Sequence, residues 1–285
     1  FAGRLISMGR SRPRKTECLP PALRFPEMSR ADRRRQAKAS GRGAGTLDGL
    51  RKALEMASVP GTPKPVLDRT RAILLTYFDT SVMQGKSYSQ IVKELAEGLS
   101  ATGIAAVELQ QGGTPPGLAC AAGCAFCCIL TGDDGGTITE HEAKALYTAL
   151  APLAGQSDGR SWHPKACPSL DPETRACRAY ERRPMICRSY VSVSAQACEK
   201  VSMEQDADGP GVLAAQTTYL VAHSLARVAL KGIAKVNTFG MSEIAQAAVE
   251  GDSEAEALKR ARHNPRSLDD QRKRNTEGYL SALGH

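Results

Sequence analysis

Four cysteines crowd into nine residues near the middle of the chain, and this stretch restricts the fold more than any other feature. The run reads Cys120-Ala-Ala-Gly-Cys124-Ala-Phe-Cys127-Cys128. A packed core uses cysteine as a small apolar side chain, usually one at a time. Thiols this close together are typical of metal, disulfide or redox chemistry instead. The rest of the chain must therefore fold in a way that supports what these sulfurs bind.

Four more cysteines follow at longer spacings and bring the candidate set to eight. The chain has nine in 285 residues, and the ninth, Cys18, lies in an arginine-rich segment far upstream, so we do not expect it to be a ligand. Long cysteine-free segments flank the cluster, which is not the pattern of a disulfide framework in a small secreted domain. The predicted metal ligands are Cys120, Cys124, Cys127, Cys128, Cys167, Cys177, Cys187 and Cys198.

Thiolates are ligands of zinc and of iron–sulfur clusters. A structural zinc ion takes four ligands in a tetrahedron, and a 4Fe–4S cluster is also held by four cysteines. The side chains of neighbouring residues such as Cys127 and Cys128 tend to diverge, and a disulfide between sequence neighbours is strained. One simple mononuclear site therefore fits poorly, and the pair points to more than one metal or to a cluster. Spacing alone does not decide between zinc, iron and a 4Fe–4S cluster.

The segment 160–190, which carries three of the cysteines, is rich in basic residues. Such groups lower the pKa of nearby thiols and stabilise an anionic metal site. An ordinary solvated basic loop is the alternative interpretation. The segment holds Arg160, Lys165, Arg175, Arg178, Arg182, Arg183 and Arg188 against Asp171, Glu173 and Glu181.

Histidine adds few candidates to this set. His163 precedes Cys167 by four residues and is either a further ligand or a surface histidine in a polar loop; the second interpretation is favoured. His223 falls inside a long apolar segment and is expected to be a buried core residue. No P-loop, Gly-x-Ser-x-Gly or His-Glu-x-x-His motif occurs in the sequence.

The order of the cysteines resembles a known family, the YkgJ-type cysteine cluster proteins with a zinc- or iron-chelating domain. The motifs that carry the resemblance span about residues 117–200. They are Cys120-x3-Cys124-x2-Cys127-Cys128, then Cys167-Pro-Ser-Leu, Cys177-Arg-Ala-Tyr180 and Arg183-Pro184-Met-Ile-Cys187-Arg188. The resemblance implies a module that chelates zinc or iron, with an iron–sulfur cluster as a further form, and it implies no settled reaction. One branch, the flagellin lysine N-methylases, consists of enzymes, but the helical flanks do not link this chain to that branch.

The net charge of +8 belongs to the beginning of the chain. Residues 1–43 hold 12 Lys and Arg against three acidic residues, so the rest is nearly neutral. A nucleic-acid role is therefore not supported beyond this basic tail. The chain opens on Phe1, and Met28-Ser-Arg-Ala-Asp resembles a natural bacterial start. We expect residues 1–45 to be a disordered tail, of which residues 1–27 are an untranslated or unstructured leader.

The remaining sequence is patterned as helices. Thr139 followed by Glu142 predicts a capped helix to about Leu150, Ser194 is predicted to cap a short helix bearing Cys198, and residues 210–234 are predicted as one long helix. The segment 104–109 fits either helix or strand. The predicted regions are 46–116 (helical), 117–200 (cysteine-cluster module), 201–262 (helical) and 263–285 (a frayed tail).

The predicted fold class is mostly α, a helical domain that encloses a loop-rich, metal-bound cysteine module. No run of apolar residues is long enough for a membrane span, and the thiol chemistry fits a reducing cytoplasm. The expected function is a metal-binding protein whose partners are zinc or iron ions. The alternative is an Fe–S-dependent redox or protein-modifying enzyme, for example with a lysine methylase-like activity. Substrate and protein partner are not readable from the residues.

Overall fold

The structure is a computed structural model, and it describes residues 45–113, 115–130, 135–208 and 210–282, with no side-chain burial described at 210 and 277–282. The predicted disordered tail and Cys18 lie outside the described residues. The described residues belong to one compact unit, so the regions named from the sequence are parts of that unit, and their boundaries stay predictions.

Four helices form the N-terminal part of the frame. The side chain of Thr46 accepts a hydrogen bond from the amide of Gly49 and caps the first helix. Ser87 and Gln90 form a capping box at the start of the third. The segment 104–109, whose sequence fits either helix or strand, lies inside the fourth helix. The helices are α1 (Leu47–Met56), α2 (Lys64–Met83), α3 (Tyr88–Glu97) and α4 (Leu99–Gly112).

Shorter elements alternate with longer helices in the rest of the chain. Four three-residue strands form two antiparallel pairs, β1 with β4 and β2 with β3. Ile138 lies opposite Phe239 in the first pair, and Val191 lies opposite Gly211 in the second. The elements are β1 (Thr137–Thr139), α5 (Glu140–Leu150), α6 (Met185–Ser189), β2 (Tyr190–Ser192), α7 (Ala195–Ser202), β3 (Pro210–Val212), α8 (Ala214–Ala229), β4 (Thr238–Gly240), α9 (Met241–Glu250), α10 (Glu254–Arg260) and α11 (Ser267–Ala282).

Helix α8 is the central element of the frame. Val221 and Leu225 pack into an apolar cluster with residues of α1, α2 and α3, while Tyr219 and Leu220 join a second cluster with α4 and α11. His223 is buried in this helix, as the sequence predicts, and burial lowers its pKa to about 4. The helix is shorter than predicted: residues 210–212 form a strand, and the helix ends at Ala229.

A further apolar cluster joins α5 and α9 to the cysteine module. Ile138, Leu146, Phe239 and Ile244 are buried there, and Cys167 is part of the same cluster. The mostly helical fold class is therefore confirmed, with short strands as additions. That the cysteine module is metal-bound stays a prediction. Within the described ranges, we find no helix with the length and apolar character that crossing a membrane requires.

The predicted frayed tail at residues 263–285 is wrong over most of its length, because Ser267–Ala282 forms α11. Leu268 and Arg272 are both buried on this helix. The Arg272 guanidinium donates to the Thr62 hydroxyl and to the Pro60 carbonyl, both at 2.8 Å. Polar contacts thus help to hold the helix, and an apolar periodicity does not reveal them.

Replacing Arg272 tests this attachment. We expect Arg272→Met to lower the free energy of unfolding by about 2 kcal/mol, because the substitution removes two buried hydrogen bonds from a charged donor. Lys273→Met, at the exposed neighbouring position, is the matched control and should change it by less than about 0.5 kcal/mol. Urea denaturation followed by circular dichroism measures both. Equal effects of the two substitutions would show that α11 does not depend on this contact.

Candidate metal centre

The first cysteine segment forms tight turns rather than regular structure. Gly123 adopts a positive φ of 79°, and a Cβ at this position would lie 3.3 Å from the carbonyl oxygen of Thr174. Glycine is therefore suited both to the backbone conformation and to the close approach of the two loops. A 3₁₀ turn, Phe126–Cys128, follows and carries the adjacent cysteine pair.

The second cysteine segment runs alongside the first. Ile129 pairs with Ala166 in an isolated antiparallel bridge, and the amide of Cys167 donates to the carbonyl of Cys128 at 2.7 Å. A second bridge pairs Leu170 with Cys177. These backbone contacts bring three cysteines that are distant in sequence next to one another.

Helix α6 carries Cys187 and is attached to the frame through one buried carboxylate. The amide of Met185, the first residue of α6, donates to Glu142 at 2.7 Å. The hydroxyl of Tyr219 in α8 donates to the same carboxylate at 2.5 Å, and Thr139 donates through its amide and its hydroxyl. The sequence predicts Glu142 as part of a helix cap but not its contact with α6, since Met185 is 43 residues away.

Cys198 lies on α7, which Ser194 caps as predicted. Its thiol is buried, whereas Cys120 is exposed and directs its sulfur towards the carbonyl of Ser192 at 3.8 Å. Ser192 ends β2, and helix α7 packs against the 3₁₀ turn that carries Cys127. The last predicted cysteine is thereby brought close to the first segment.

All eight predicted cysteines line one cavity of about 1150 Å³. Each of them is a free thiol. Four arginines also line the cavity, and none of the described residues that line it is Asp or Glu. The basic setting expected from the sequence is therefore present at the cavity wall, although only some of the basic residues of segment 160–190 contribute. The four are Arg175, Arg183, Arg188 and Arg274.

The environment of the thiols shifts their pKa values in opposite directions. The Cys128 thiol donates to the sulfur of Cys127, and this hydrogen bond, assisted by the charge of Arg183, lowers the pKa of Cys127 to about 7. The same bond and burial raise the pKa of Cys128. Burial, with neighbouring thiols as a further cause, raises the pKa of Cys187. The divergence of the two side chains and their service to different metals stay predictions.

The thiols share a cavity, but they are not arranged as a finished metal site. Within the parts of the chain that the structure describes, no group of three or more His, Cys, Asp or Glu side chains is placed so that it could hold a metal ion. The donor chemistry nevertheless fits zinc or iron, because both accept sets of four thiolates and the cavity wall offers cations to offset their charge.

Neither His163 nor Trp162 belongs to the cavity wall. The Nδ1 atom of His163 accepts a hydrogen bond from the amide of Lys165 at 3.1 Å, which is a local turn contact. This agrees with its interpretation as a histidine of a polar loop. The ring of Trp162 lies 5.4 Å from the guanidinium of Arg175, so its link to the cavity is indirect.

Residues 119–207 match the model of the CxxCxxCC family, which is described as "Putative zinc- or iron-chelating domain". The match covers less than half of the 285 residues and contains all eight cysteines of the cavity. Comparison with the curated proteins and with the solved structures found no match to the chain.

Proposed function

We propose that this protein binds zinc or iron through its cysteine module, with ligands drawn from the eight thiols of the cavity. The observation that carries the proposal is that eight free cysteines from distant parts of the chain line one cavity. Soft thiolate donors select zinc, copper(I) or iron–sulfur clusters over hard cations such as magnesium. The family match to residues 119–207 supports zinc or iron among these.

The electrostatics of the cavity favour the binding of a cation. Burial and crowding raise the pKa of Cys187, and burial likewise raises that of Cys167, so the anionic forms are disfavoured when no cation is near. A bound metal ion reverses this preference, because the thiolate and not the thiol is the ligand. The wall arginines then face an anionic metal–thiolate centre. A reducing cytoplasm, which keeps thiols free, is the compartment that we propose for this chemistry.

The metal content of the full chain tests this proposal. We expect protein purified anaerobically and dialysed against a weak chelator to retain at least one zinc or iron per chain by elemental analysis. The Cys128→Ser/Cys187→Ser double variant should lose metal, whereas Cys18→Ser, which changes a cysteine outside the cavity set, should keep it. Metal-free wild-type protein that stays folded and soluble would contradict the proposal.

An Fe–S-dependent enzyme is the second candidate, and the size of the cavity favours it. Small-molecule sites are commonly about 300–1,000 Å³, and the cavity of about 1150 Å³ leaves room beside metal ions. The proposed activity is redox or protein-modifying chemistry, for example lysine methylation. A visible absorption band of the anaerobic protein that dithionite bleaches would support it. Colourless protein with stoichiometric zinc would rule it out.

A further inference from the structure

The four arginines of the cavity wall have no acidic partners among the described residues. Arginines elsewhere in the chain form ion pairs, as Arg160 does with Asp158 at 2.7 Å and Arg227 with Asp269 at 2.5 Å. No described Asp or Glu lines the cavity or pairs with one of its arginines. Because a guanidinium carries five N–H donors and no acceptor, the wall offers several cations to an anion from outside the chain. The four are Arg175, Arg183, Arg188 and Arg274.

Three of these arginines stand where the cavity meets solvent. Arg175, Arg188 and Arg274 are exposed and also line the cavity, and a side chain can do both only at an opening. They belong to three parts of the chain, which are the loop between Leu170 and Cys177, helix α6 and helix α11. An anion that approaches the cavity therefore encounters positive charge from three separate elements.

Arg183 is the half-buried member of the set, and its guanidinium is held by one residue. The guanidinium carbon lies 3.7 Å from the ring centre of Tyr180, and Nε donates to the Tyr180 carbonyl at 3.2 Å. Within the described residues, its two terminal NH₂ groups have no hydrogen-bond acceptor. A guanidinium that is fixed in this way, with both terminal groups free, matches the paired oxygens of a carboxylate or a phosphate.

Arg175 is held in a backbone conformation that favours glycine. Its φ is 58°, in the left-handed region. Two hydrogen bonds of 2.9 Å close the loop: the amide of Arg175 donates to the carbonyl of Asp171, and the amide of Asp171 donates to the carbonyl of Ala176. Residues in such conformations cluster at binding sites. The loop thus carries a cation at a position where backbone stability alone favours glycine.

The size and the apolar side chains of the cavity suit an organic ligand. Its volume of about 1150 Å³ exceeds the usual range of small-molecule sites, about 300–1,000 Å³. Apolar residues outside the matched range 119–207 also line it, among them Leu109 of α4, Leu213 and Met241. Small-molecule sites combine apolar walls with a few polar groups that fix orientation. The ligand that fits therefore has an apolar body and at least one anionic group.

We propose that the cavity binds an organic anion, a carboxylate or a phosphate ester, whose anionic group Arg183 holds through its two terminal NH₂ groups. The exposed Arg175, Arg188 and Arg274 attract the anion to the opening, and its apolar body lies against the helical frame. The proposal goes beyond metal binding, for which the thiols suffice. Arginines that only offset the charge of bound thiolates would affect metal content and not anion binding, so the two roles are separable.

Binding of two fluorescent anions to the full chain, purified under reducing conditions, tests the site. The probes 2-naphthyl phosphate and 2-naphthoate share an apolar body and differ in the anionic group, and 2-naphthol is the neutral control. We expect fluorescence titration to show one site per chain for at least one anion, with an affinity about tenfold or more above that of 2-naphthol. The anion that binds more tightly identifies the class of ligand. Binding of neither anion, or equal binding of all three probes, would overturn the proposal.

Substitutions at two neighbouring arginines test the role of Arg183. Arg183→Met should weaken anion binding about tenfold, and Arg183→Lys about threefold or more, because lysine keeps the charge but not the planar fork. Arg182→Met removes the same charge at an exposed position outside the cavity wall and should leave anion binding unchanged. Equal weakening by Arg182→Met would refute a specific site. Elemental analysis accompanies each sample, and anion binding that is lost only together with metal would show that the anion binds the metal instead.

Arg175→Gly separates a role in binding from a structural one and does not depend on the folding of the Arg183 variants. Since glycine accepts the left-handed conformation, we expect a higher midpoint of urea denaturation together with anion binding that is about threefold weaker. Glu204→Gly changes the other described non-glycine residue with a positive φ, 61°, outside the cavity wall, and should leave anion affinity unchanged. A lower midpoint, or wild-type affinity in Arg175→Gly, would refute the assignment of Arg175 to the site.

Discussion

Removing the metals with a strong chelator is expected to unfold residues 117–200 and to leave the N-terminal helices folded. The module contains only short elements, such as the five-residue helix α6 and the 3₁₀ turn Phe126–Cys128. Isolated helices below about 12–15 residues are marginal in water. Structural zinc contributes about 10–16 kcal/mol of binding free energy in zinc-finger peptides, which is comparable to the whole stability of a typical domain, about 5–15 kcal/mol. We therefore expect the segment to depend on the metal that we propose for it.

The N-terminal helices share an apolar core with α8 and should survive this treatment. Leu50, Leu74, Phe78 and Ile91 are buried together against α8, away from the cysteines. Limited trypsin digestion should then cut the chelator-treated protein at basic residues of the module, of which Arg175 is an exposed example. A fragment that contains the N-terminal helices should resist digestion. Mass spectrometry identifies the cut sites.

The matched control is the same chelator with an excess of zinc added before digestion. This sample should be as resistant as untreated protein, because the free chelator is consumed. Unchanged circular dichroism and unchanged protease resistance after verified metal removal would mean that the module folds without metal. The cysteines would then have a role other than stabilising the fold through a bound metal.

Local signals account for the elements that the sequence predicted well. The Thr139–Glu142 capping box and the Ser194 cap depend on residues three apart, and the structure contains both helices. The C-terminal helix α11 was missed for the opposite reason. Arg272 and Asn275 attach it through hydrogen bonds to Thr62 and Thr217, more than 50 residues away. Polar contacts of this kind produce no apolar periodicity in the sequence, so the sequence does not predict the helix.

The candidate site was predictable as a set of residues but not as an arrangement. The dense run and the order of the four later cysteines selected the eight that line the cavity, although their role as ligands stays a prediction. Which of them pack against the core depends on how α5 and α9 meet the module, and this is a tertiary property. The 3₁₀ turn that carries Cys127 and Cys128 is likewise absent from the sequence pattern.

Replacement of Glu142 is expected to have the largest effect of any single substitution outside the cysteines. Its carboxylate is buried and accepts hydrogen bonds from Thr139, Met185 and Tyr219, which belong to three different parts of the chain. Glu142→Ala leaves these donors without an acceptor, and each unsatisfied buried group costs about 1–3 kcal/mol. We expect a loss of about 4 kcal/mol in the free energy of unfolding.

Glu142→Gln separates the loss of charge from the loss of shape. The amide keeps one acceptor oxygen but turns an NH₂ group towards a donor, so we expect a loss of about 2 kcal/mol. Glu140→Gln is the matched control on the same helix. Glu140 forms an ion pair with Lys144 at 2.8 Å, and its replacement should cost less than about 1 kcal/mol. Urea denaturation of the zinc-loaded proteins measures all three.

The effect on metal binding distinguishes a positioning role of Glu142 from a merely structural one. Because Glu142 holds the first amide of α6, and α6 carries Cys187, its replacement should speed the release of bound metal. Glu142→Gln should release metal to a chromogenic chelator at least fivefold faster than the wild type under conditions in which the variant is still folded, whereas Glu140→Gln should release it at the wild-type rate. Equal acceleration in Glu140→Gln would indicate general loosening of the fold, and no acceleration in Glu142→Gln would mean that α6 is positioned by other contacts.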